Sequence, residues 1–129
     1  MRPIQLFQLA ATQAHWLSVR QDVVAGNVAN VNTPGYKAMD VEPFSSLLDR
    51  MNEGNQTMAA DSAMHLVSDD PNDAVKTEPV RDGVTIKPSG NSVDLPQELI
   101  KQGDIRSQFE LNTGLVKSFH QMMMMTVKS

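Results

Sequence analysis

The sequence predicts a mainly α-helical protein. Two long helices, one near each end of the chain, pair as an antiparallel coiled coil around a loop-rich, partly disordered middle. An apolar periodicity of three and four residues runs through residues 3–30 and returns over residues 95–127. Between them, residues 53–92 are polar and contain Pro and Gly at short intervals. With 129 residues, the chain has room for one small domain at most.

The first helix is expected over about residues 3–30, since Pro3 is tolerated in a first turn. Eight positions follow alternating steps of three and four, and all but Gln21 are apolar. They are Phe7, Ala10, Ala14, Leu17, Gln21, Val24, Val28 and Val31. The pattern indicates a heptad-like seam. An ordinary amphipathic core helix explains the same periodicity and stays the simpler interpretation of it.

Residues 30–36 are expected to end this helix in a turn. Pro34 has no N–H to continue a helix and disfavours the α conformation at Thr33. Gly35 accepts positive φ, so Thr33-Pro34-Gly35 suits a type II turn with Pro second and Gly third. We therefore expect a positive φ at Gly35.

The second helix is expected over about residues 95–127. Asp94 and Gln97 fit a capping box, with Pro96 in the first turn. One face is apolar and carries Ile105, Phe109, Val116, Phe119 and Met123, widened by Leu115 and Met122. Asn112 interrupts this face, and a polar residue in such a seam can fix the register. Met122 to Met125 cover every side of the last turn and suit either a frayed end or an adaptable docking surface.

The middle of the chain carries weaker signals. Residues 39–52 fit a short helix with Phe44, Leu47, Leu48 and Met51 on one face. Residues 80–86 fit a small β-hairpin with Asp-Gly at its turn. The expected organisation is an N-terminal helix and turn (1–38), a variable middle (39–93) and a C-terminal helix (94–129).

Composition and motifs exclude several function classes. Without Cys there is no disulfide scaffold, thiol nucleophile or Cys-based zinc site. His15, His65 and His120 are far apart, and the acidic turn at residues 69–73 lacks the Gly and Glu of a calcium loop. We therefore expect no catalytic site, no metal and no cofactor.

Charge and hydropathy narrow the partners. Residues 40–83 contain ten of the fifteen acidic residues, and the basic ones are too dispersed for a nucleic-acid-binding face. No apolar run approaches the roughly 18–20 residues of a membrane span. No cleaved signal peptide is expected at the N-terminus.

Three segments resemble the flagellar axial proteins, which are the rod, hook and hook-filament junction subunits. The first is Ala-Asn-x-Asn-Thr-Pro-Gly-Tyr-Lys-Ala at residues 29–38, and the second is the helix at residues 17–30 that leads into it. The third is Gly-Asn-Ser-Val-Asp-Leu at residues 90–95, before the last helix. The resemblance covers residues 4–50 and 88–127. The chain is too short for the added β domains of other members, which implies a proximal rod subunit. Among the proximal rod subunits, a FlgC-like member is kept as the alternative.

This resemblance implies a structural role in the rod, which spans the periplasm and transmits motor torque. Its members pair their terminal helices and pack side by side in a helical assembly, so the implied neighbours are the rod subunits FlgC, FlgF and FlgG, the rod-base adaptor FliE and the MS-ring. The implied subunit interface comprises Leu17, Val24, Val28, Asn30, Asn32, Thr33, Pro34, Gly35, Tyr36, Phe109, Val116 and Phe119.

The resemblance also implies export by the flagellar type III apparatus without signal cleavage. Early subunits carry a Phe-x-x-x-apolar motif that docks at the export gate, and Phe44 and Leu48 match its form. The same spacing also arises from one face of a short helix. Two other functions stay open: a cytosolic coiled-coil adaptor or chaperone, which leaves the turn motif unexplained, and a secreted cell-wall hydrolase, which lacks a catalytic pair.

Overall fold

The computed structural model describes residues 3–58, 75–81 and 83–128. Their elements, in chain order, are helix α1 (Pro3–Ala29), strand β1 (Met39–Val41), helix α2 (Phe44–Met58), strand β2 (Thr77–Pro79) and helix α3 (Leu95–Lys128). The predicted mainly helical fold is confirmed, and both long helices end within one residue of their expected bounds. The acidic turn at residues 69–73 and His65 lie outside the described residues.

Helices α1 and α3 pack antiparallel, as their contacts along the chain demonstrate. Phe7 near the start of α1 meets Phe119 near the end of α3 edge to face, with ring centroids 5.7 Å apart. Farther along α1, Arg20 pairs with Asp104 at 3.1 Å, near the start of α3. The predicted pairing of the two helices is therefore confirmed.

Asn112 performs the role that its place in the apolar face suggested. It is 8% exposed, and its side-chain amide donates a 3.1 Å hydrogen bond to the Ala10 carbonyl of α1. A buried amide must keep its partner, so this bond favours one alignment of the two helices over others.

The predicted apolar face of α3 is narrower than expected. Ile105 is buried, and Phe109, Val116, Phe119 and Met123 are half-buried. Leu115 and Met122 are 59% and 54% exposed. The prediction that these two residues widen the apolar face was therefore wrong for the packing inside this chain. The reason is geometric, because a single neighbouring helix covers only a stripe of about 100°.

The core lies where α1, α2 and α3 meet near the middle of α1. Its buried cluster comprises Trp16, Leu17, Val24, Leu47, Val75 and Ile105. The indole N–H of Trp16 donates a 2.8 Å hydrogen bond to the Glu42 carbonyl, which ties α1 to the segment between β1 and α2. The polar tip of the tryptophan is thereby satisfied while its ring fills the core.

The short middle helix begins later and ends later than predicted, at Phe44 and Met58. Its first helical hydrogen bond runs from the Leu47 N–H to the Pro43 carbonyl, at 3.2 Å. Pro43 disfavours the α conformation at Glu42, so a helix covering residues 39–43 was wrong. Residues 39–41 form strand β1 instead.

A small antiparallel sheet is present, but it pairs other segments than the predicted hairpin. Strand β1 pairs with β2, with Met39 opposite Pro79 and Val41 opposite Thr77. The described residues of 80–86 contain no strand. Gly83 has the positive φ of a turn, 68°, but no strand flanks it among the described residues of 80–86, and β2 pairs with β1 instead.

Among the helices that the structure describes, none combines the length and the apolar composition needed to cross a lipid bilayer.

Candidate subunit-contact site

The turn after α1 has the predicted geometry. The Tyr36 N–H donates to the Thr33 carbonyl at 3.3 Å, and Gly35 has a φ of 74°. A hydrogen bond across four residues with positive φ at the third is the arrangement of a type II turn. Asn32 to Gly35 are exposed, so the turn lies on the surface at one end of the α1/α3 pair.

The end of α1 is closed by side chains of the same segment. Asn30 donates from its amide to the Gly26 carbonyl at 2.8 Å, and the Thr33 hydroxyl donates to the Asn30 side-chain oxygen at 3.1 Å. The Gly26 carbonyl also accepts the Asn30 backbone N–H at 3.1 Å, so backbone and side chain of Asn30 both bind it. Tyr36 is half-buried and its hydroxyl makes a long, 3.5 Å hydrogen bond to Asn27.

The segment before α3 runs along the turn and binds it through backbone groups. The Gly35 N–H donates to the Ser89 carbonyl at 2.9 Å, and the Ser92 N–H donates to the Tyr36 carbonyl at 3.0 Å. The Ser92 hydroxyl accepts the Ala38 N–H at 2.8 Å. Two of the segments that resemble axial proteins, residues 29–38 and 90–95, therefore form one structural unit although they are far apart in sequence.

Asn91 lies at the centre of this unit and is 1% exposed. Its amide nitrogen donates 2.8 Å hydrogen bonds to the carbonyls of Asn30 and Thr33. Its side-chain oxygen accepts the Val93 N–H at 2.8 Å. One buried side chain thus satisfies three backbone groups, two of them in the turn.

A second buried asparagine, Asn27, joins α1, β1 and α3. Its amide nitrogen donates to the Met39 carbonyl at 2.8 Å and to the Glu98 carboxylate at 3.1 Å, and its oxygen accepts the Met39 N–H at 3.0 Å. Glu98 is 2% exposed, and Lys101 lies 3.4 Å from its other oxygen. The buried carboxylate therefore has both an amide donor and a cation.

A chain of ion pairs continues from this point toward the middle of α1. Lys101 lies 3.3 Å from Asp40 of β1, and Arg20 lies 3.7 Å from the same carboxylate. Arg20 also pairs with Asp104 at 3.1 Å and lies over the Trp16 ring, 5.6 Å from its centre. Two cations and three carboxylates thus connect α1, β1 and α3.

The structure divides the sequence-predicted interface residues into three groups. Leu17 and Val24 are buried in the chain's own core, with exposures of 0% and 1%. The seam residues that are half-buried between α1 and α3 or beside them are Val28, Phe109, Val116 and Phe119. The turn residues gather at one end of the helix pair, and Phe119 lies at the other end against Phe7.

Phe44 and Leu48 face inward in the folded chain. The Phe44 ring packs against Trp16, with centroids 5.6 Å apart, and both Phe44 and Leu48 are half-buried. Leu47, between them, is 1% exposed and belongs to the core. Docking of the segment around Phe44 to another protein would therefore compete with its packing on α1.

The surface of the helix pair carries grooves, some of them lined mainly by apolar side chains. One of about 490 Å³ lies between the start of α1 and the end of α3, lined by Phe7, Ala10, Ala11, Ala14, Asn112, Thr113, Val116, Lys117 and His120. Within the described residues, no three His, Asp or Glu side chains are grouped closely enough to hold a metal ion.

The outer side of α3 carries a second apolar stripe. Leu111, Leu115, Met122 and Met125 are 65%, 59%, 54% and 66% exposed. Steps of four, seven and three residues place them along one side of the helix. Lys117 is the only lysine, arginine, aspartate or glutamate in residues 111–127, so the stripe contains no charged side chain. We call these four residues the outer stripe of α3.

Sequence reasoning missed the buried polar residues Asn27, Asn91, Ser92 and Glu98, and also Trp16. Asn27 was detectable as an amide one turn before Asn30 in an otherwise apolar stretch. Asn91 and Ser92 belonged to a recognised segment, but their partners lie about sixty residues away along the chain. Nothing local marks Glu98, because a carboxylate in a first helical turn normally faces solvent.

Comparison with known proteins agrees with the helices and the turn described above. The family model described as "Flagella basal body rod protein" matches residues 10–37. The chain is 49% identical over 130 aligned positions to the flagellar basal body rod protein FlgB of Agrobacterium fabrum, covering 99% of this chain and 96% of that protein. It is 30% identical to FlgB of Escherichia coli, covering 85% of this chain and 83% of that protein. FlgB of Aeromonas hydrophila is 31% identical over 100 positions.

Proposed function

The chain belongs to the FlgB family of flagellar basal body rod proteins, and from this premise we propose that it joins its neighbours through the turn after α1 and the outer stripe of α3. Its role is that of a structural subunit of the basal body rod. The role is mechanical and calls for neither a catalytic group nor a cofactor.

The observation that carries the proposal is the outer stripe of α3. An exposed, charge-free stripe on a helix costs free energy in water, at about 25 cal/mol per Å² of apolar surface. Such surfaces on otherwise polar proteins mark contacts with other proteins. In a helical assembly each copy repeats the same heterologous contacts, so an apolar stripe that takes part in one of them is covered in every such copy.

The predicted interface residues act at two levels in this proposal. The exposed turn residues Asn32, Thr33, Pro34 and Gly35 contact a neighbouring subunit directly, with Asn30 and Tyr36 supporting them. The seam residues contribute by holding α1 and α3 together, because Leu17 and Val24 are buried inside the chain. Val28, Phe109, Val116 and Phe119 are half-buried and serve both purposes.

The partners we propose are those expected for a proximal rod subunit: FlgC, FlgF and FlgG, the rod-base adaptor FliE and the MS-ring. We also propose that the chain reaches the rod through the flagellar type III export apparatus without signal cleavage, and that Phe44 and Leu48 dock at the export gate. Family membership supports the location in the basal body, and the Phe-x-x-x-Leu spacing supports the gate contact.

The test uses a flagellated host from which its own copy of this subunit has been deleted, so that it no longer swims. We expect the chain to restore motility and to co-purify with basal bodies, as detected with an antibody. A chain that complements while remaining in the cytosolic fraction would favour the adaptor or chaperone function instead.

The outer stripe is tested in the same host with Leu115→Lys and Met122→Lys. Both side chains are exposed, so the fold tolerates the charge, but a subunit contact does not. Gln102→Lys, at an exposed polar position of the same helix, is the matched control. Normal incorporation of both stripe variants into basal bodies would show that the outer stripe of α3 is not part of the subunit interface.

A further inference from the structure

We propose that Asn91 is a positioning residue for the turn: it holds residues 30–36 in the shape that a neighbouring subunit contacts. The inference rests on the proposed function of the turn as a contact surface. It assigns the control of that surface to a side chain that no neighbour touches, since Asn91 is 1% exposed.

The hydrogen bonds of Asn91 permit no freedom in its orientation. Both amide donors are used, one on the Asn30 carbonyl and one on the Thr33 carbonyl, each at 2.8 Å. The oxygen is used as well, by the Val93 N–H at 2.8 Å. A primary amide is the neutral side-chain group that offers two donors and an acceptor in one plane, and Asn has the shorter of the two available stems.

The two carbonyls that Asn91 binds lie at the end of α1 and at the first residue of the type II turn. Asn30 is the first residue after α1, and Thr33 is the residue whose carbonyl also accepts the turn's own hydrogen bond from Tyr36. Fixing both carbonyls sets the path of the two peptide groups between them. The positions and orientations of the exposed residues Asn32 and Pro34 are thereby fixed.

The backbone that carries Asn91 is itself held against the turn. A Cβ added at Gly90 would lie 3.4 Å from the Gly35 Cα, and Gly90 has a φ of 81°. Two glycines with positive φ therefore face each other across this junction. The close approach brings the Asn91 side chain underneath the turn rather than beside it.

The same side chain reaches the start of α3. Its oxygen binds the Val93 N–H, and the next residue, Asp94, provides the carbonyl that accepts the first helical hydrogen bond, from the Glu98 N–H at 3.0 Å. The turn is therefore complete only when the start of α3 is in place. A neighbour that contacts the turn selects a subunit whose two terminal helices have already paired.

The central variant is Asn91→Asp, which keeps the shape and the acceptor for Val93. It replaces the two donors by an oxygen that faces two carbonyl oxygens. The matched control is Asn52→Asp, the same chemical change at an exposed position of α2. Secretion, incorporation into basal bodies and pairing of α1 with α3 are measured for each variant.

Helix pairing is measured by chemical cross-linking, since the chain has no native cysteine. Ala10→Cys and Thr113→Cys line the same groove and are joined by a bifunctional thiol reagent. We expect Asn91→Asp to be secreted and cross-linked like the parent chain, while its incorporation falls about tenfold or more, because the Asn30 and Thr33 carbonyls lose the side-chain donors that fix their position. Asn52→Asp should incorporate normally.

Two outcomes overturn the proposal. If Asn91→Asp incorporates like the parent, the turn does not depend on Asn91. If its cross-linking yield falls in step with incorporation, Asn91 stabilises the whole fold and does not position the turn specifically.

A separate variant tests the proposed function on which the inference rests. Asn32→Arg places a large charge on the exposed surface of the turn, away from the Asn91 side chain. Loss of incorporation for Asn32→Arg with normal incorporation for Asn91→Asp rejects the positioning role alone. Normal incorporation for Asn32→Arg rejects the turn as a contact surface, and the inference with it.

Discussion

Gly35 adopts its φ of 74° in open surroundings, since a Cβ built at this position would have no neighbour within 4 Å. The need for glycine here is therefore conformational and not steric. A non-glycine residue in the left-handed region costs roughly 1–2 kcal/mol, and a β-branched one costs more.

We expect Gly35→Val to be exported yet to fail in building a rod, because the strained backbone moves the exposed turn while leaving the rest of the sequence unchanged. Secretion and basal-body assays in a motile host measure the two steps separately. Gly103→Val is the matched control, since its added Cβ also has no neighbour within 4 Å and its backbone is helical. A block of export by Gly35→Val would contradict this separation of roles.

At the residue scale, a feature could be predicted from the sequence where a single residue determines it within its own short segment. Pro34 and Gly35 revealed the turn because proline fixes its own φ and glycine accepts a positive φ. Asn112 was recognisable as a polar residue in an apolar face. The pairing of Asn27 with Glu98 was not predictable, because their 3.1 Å hydrogen bond joins positions 71 residues apart. An isolated sequence contains no record of which polar groups are buried together.

Helices α1 and α3 depend on each other through their apolar seam. Val24 is 1% exposed, and Phe119 is half-buried against Phe7. An aspartate at either position would bury a carboxylate without a partner, at a cost of several kcal/mol.

Val24→Asp and Phe119→Asp should therefore abolish rod assembly, which a motility assay in soft agar detects. Ser18→Asp, at an exposed position of α1, introduces the same charge outside the seam and serves as the control. Normal swimming of both seam variants would show that the pairing of the helices is dispensable.

Helix α2 allows the export hypothesis to be separated from packing. We expect Phe44→Ala to retain the subunit in the cytoplasm, because the proposed gate motif loses its aromatic anchor. Leu47→Ala removes a side chain of the same helix that is more deeply buried, at a cost of about 2–5 kcal/mol. It lies outside the Phe-x-x-x-Leu positions, so we expect it to be exported. Equal retention of both variants would attribute the effect to the packing of α2.

At the element scale, length decided what could be predicted. Helices of 27 and 34 residues repeat their apolar pattern many times, so α1 and α3 emerged with nearly correct bounds. Strands β1 and β2 have three residues each, too few for an alternation to be recognised. Their pairing joins segments on both sides of α2, whereas the Asp-Gly signal favoured a local hairpin.

The whole molecule has a small core for its length. Among the described residues, eight apolar side chains are buried: Trp16, Leu17, Ala38, Val24, Leu47, Val75, Val93 and Ile105. Helix α3 carries glycines at 103 and 114, each costing about 1 kcal/mol relative to alanine. Conformational entropy opposes folding at every ordered residue, so such a core leaves a narrow margin of stability.

We therefore expect the isolated subunit to be weakly helical in dilute solution and to gain structure on assembly. Circular dichroism should show a broad thermal transition of low amplitude. An osmolyte such as trimethylamine N-oxide, which is excluded from protein surfaces, should raise the helical signal of the same sample. High helicity with a sharp, cooperative transition in dilute monomer would contradict this expectation.

The polar contacts between α1 and α3 determine how the pair responds to a shearing load. An apolar seam repeats every seven residues, so one helix could slide by about 10.5 Å along the other and still bury similar side chains. The bonds Asn27–Glu98, Arg20–Asp104 and Asn112–Ala10 exist in one position of that slide alone. The apolar seam therefore holds the two helices together, and these polar contacts prevent one helix from sliding along the other under load.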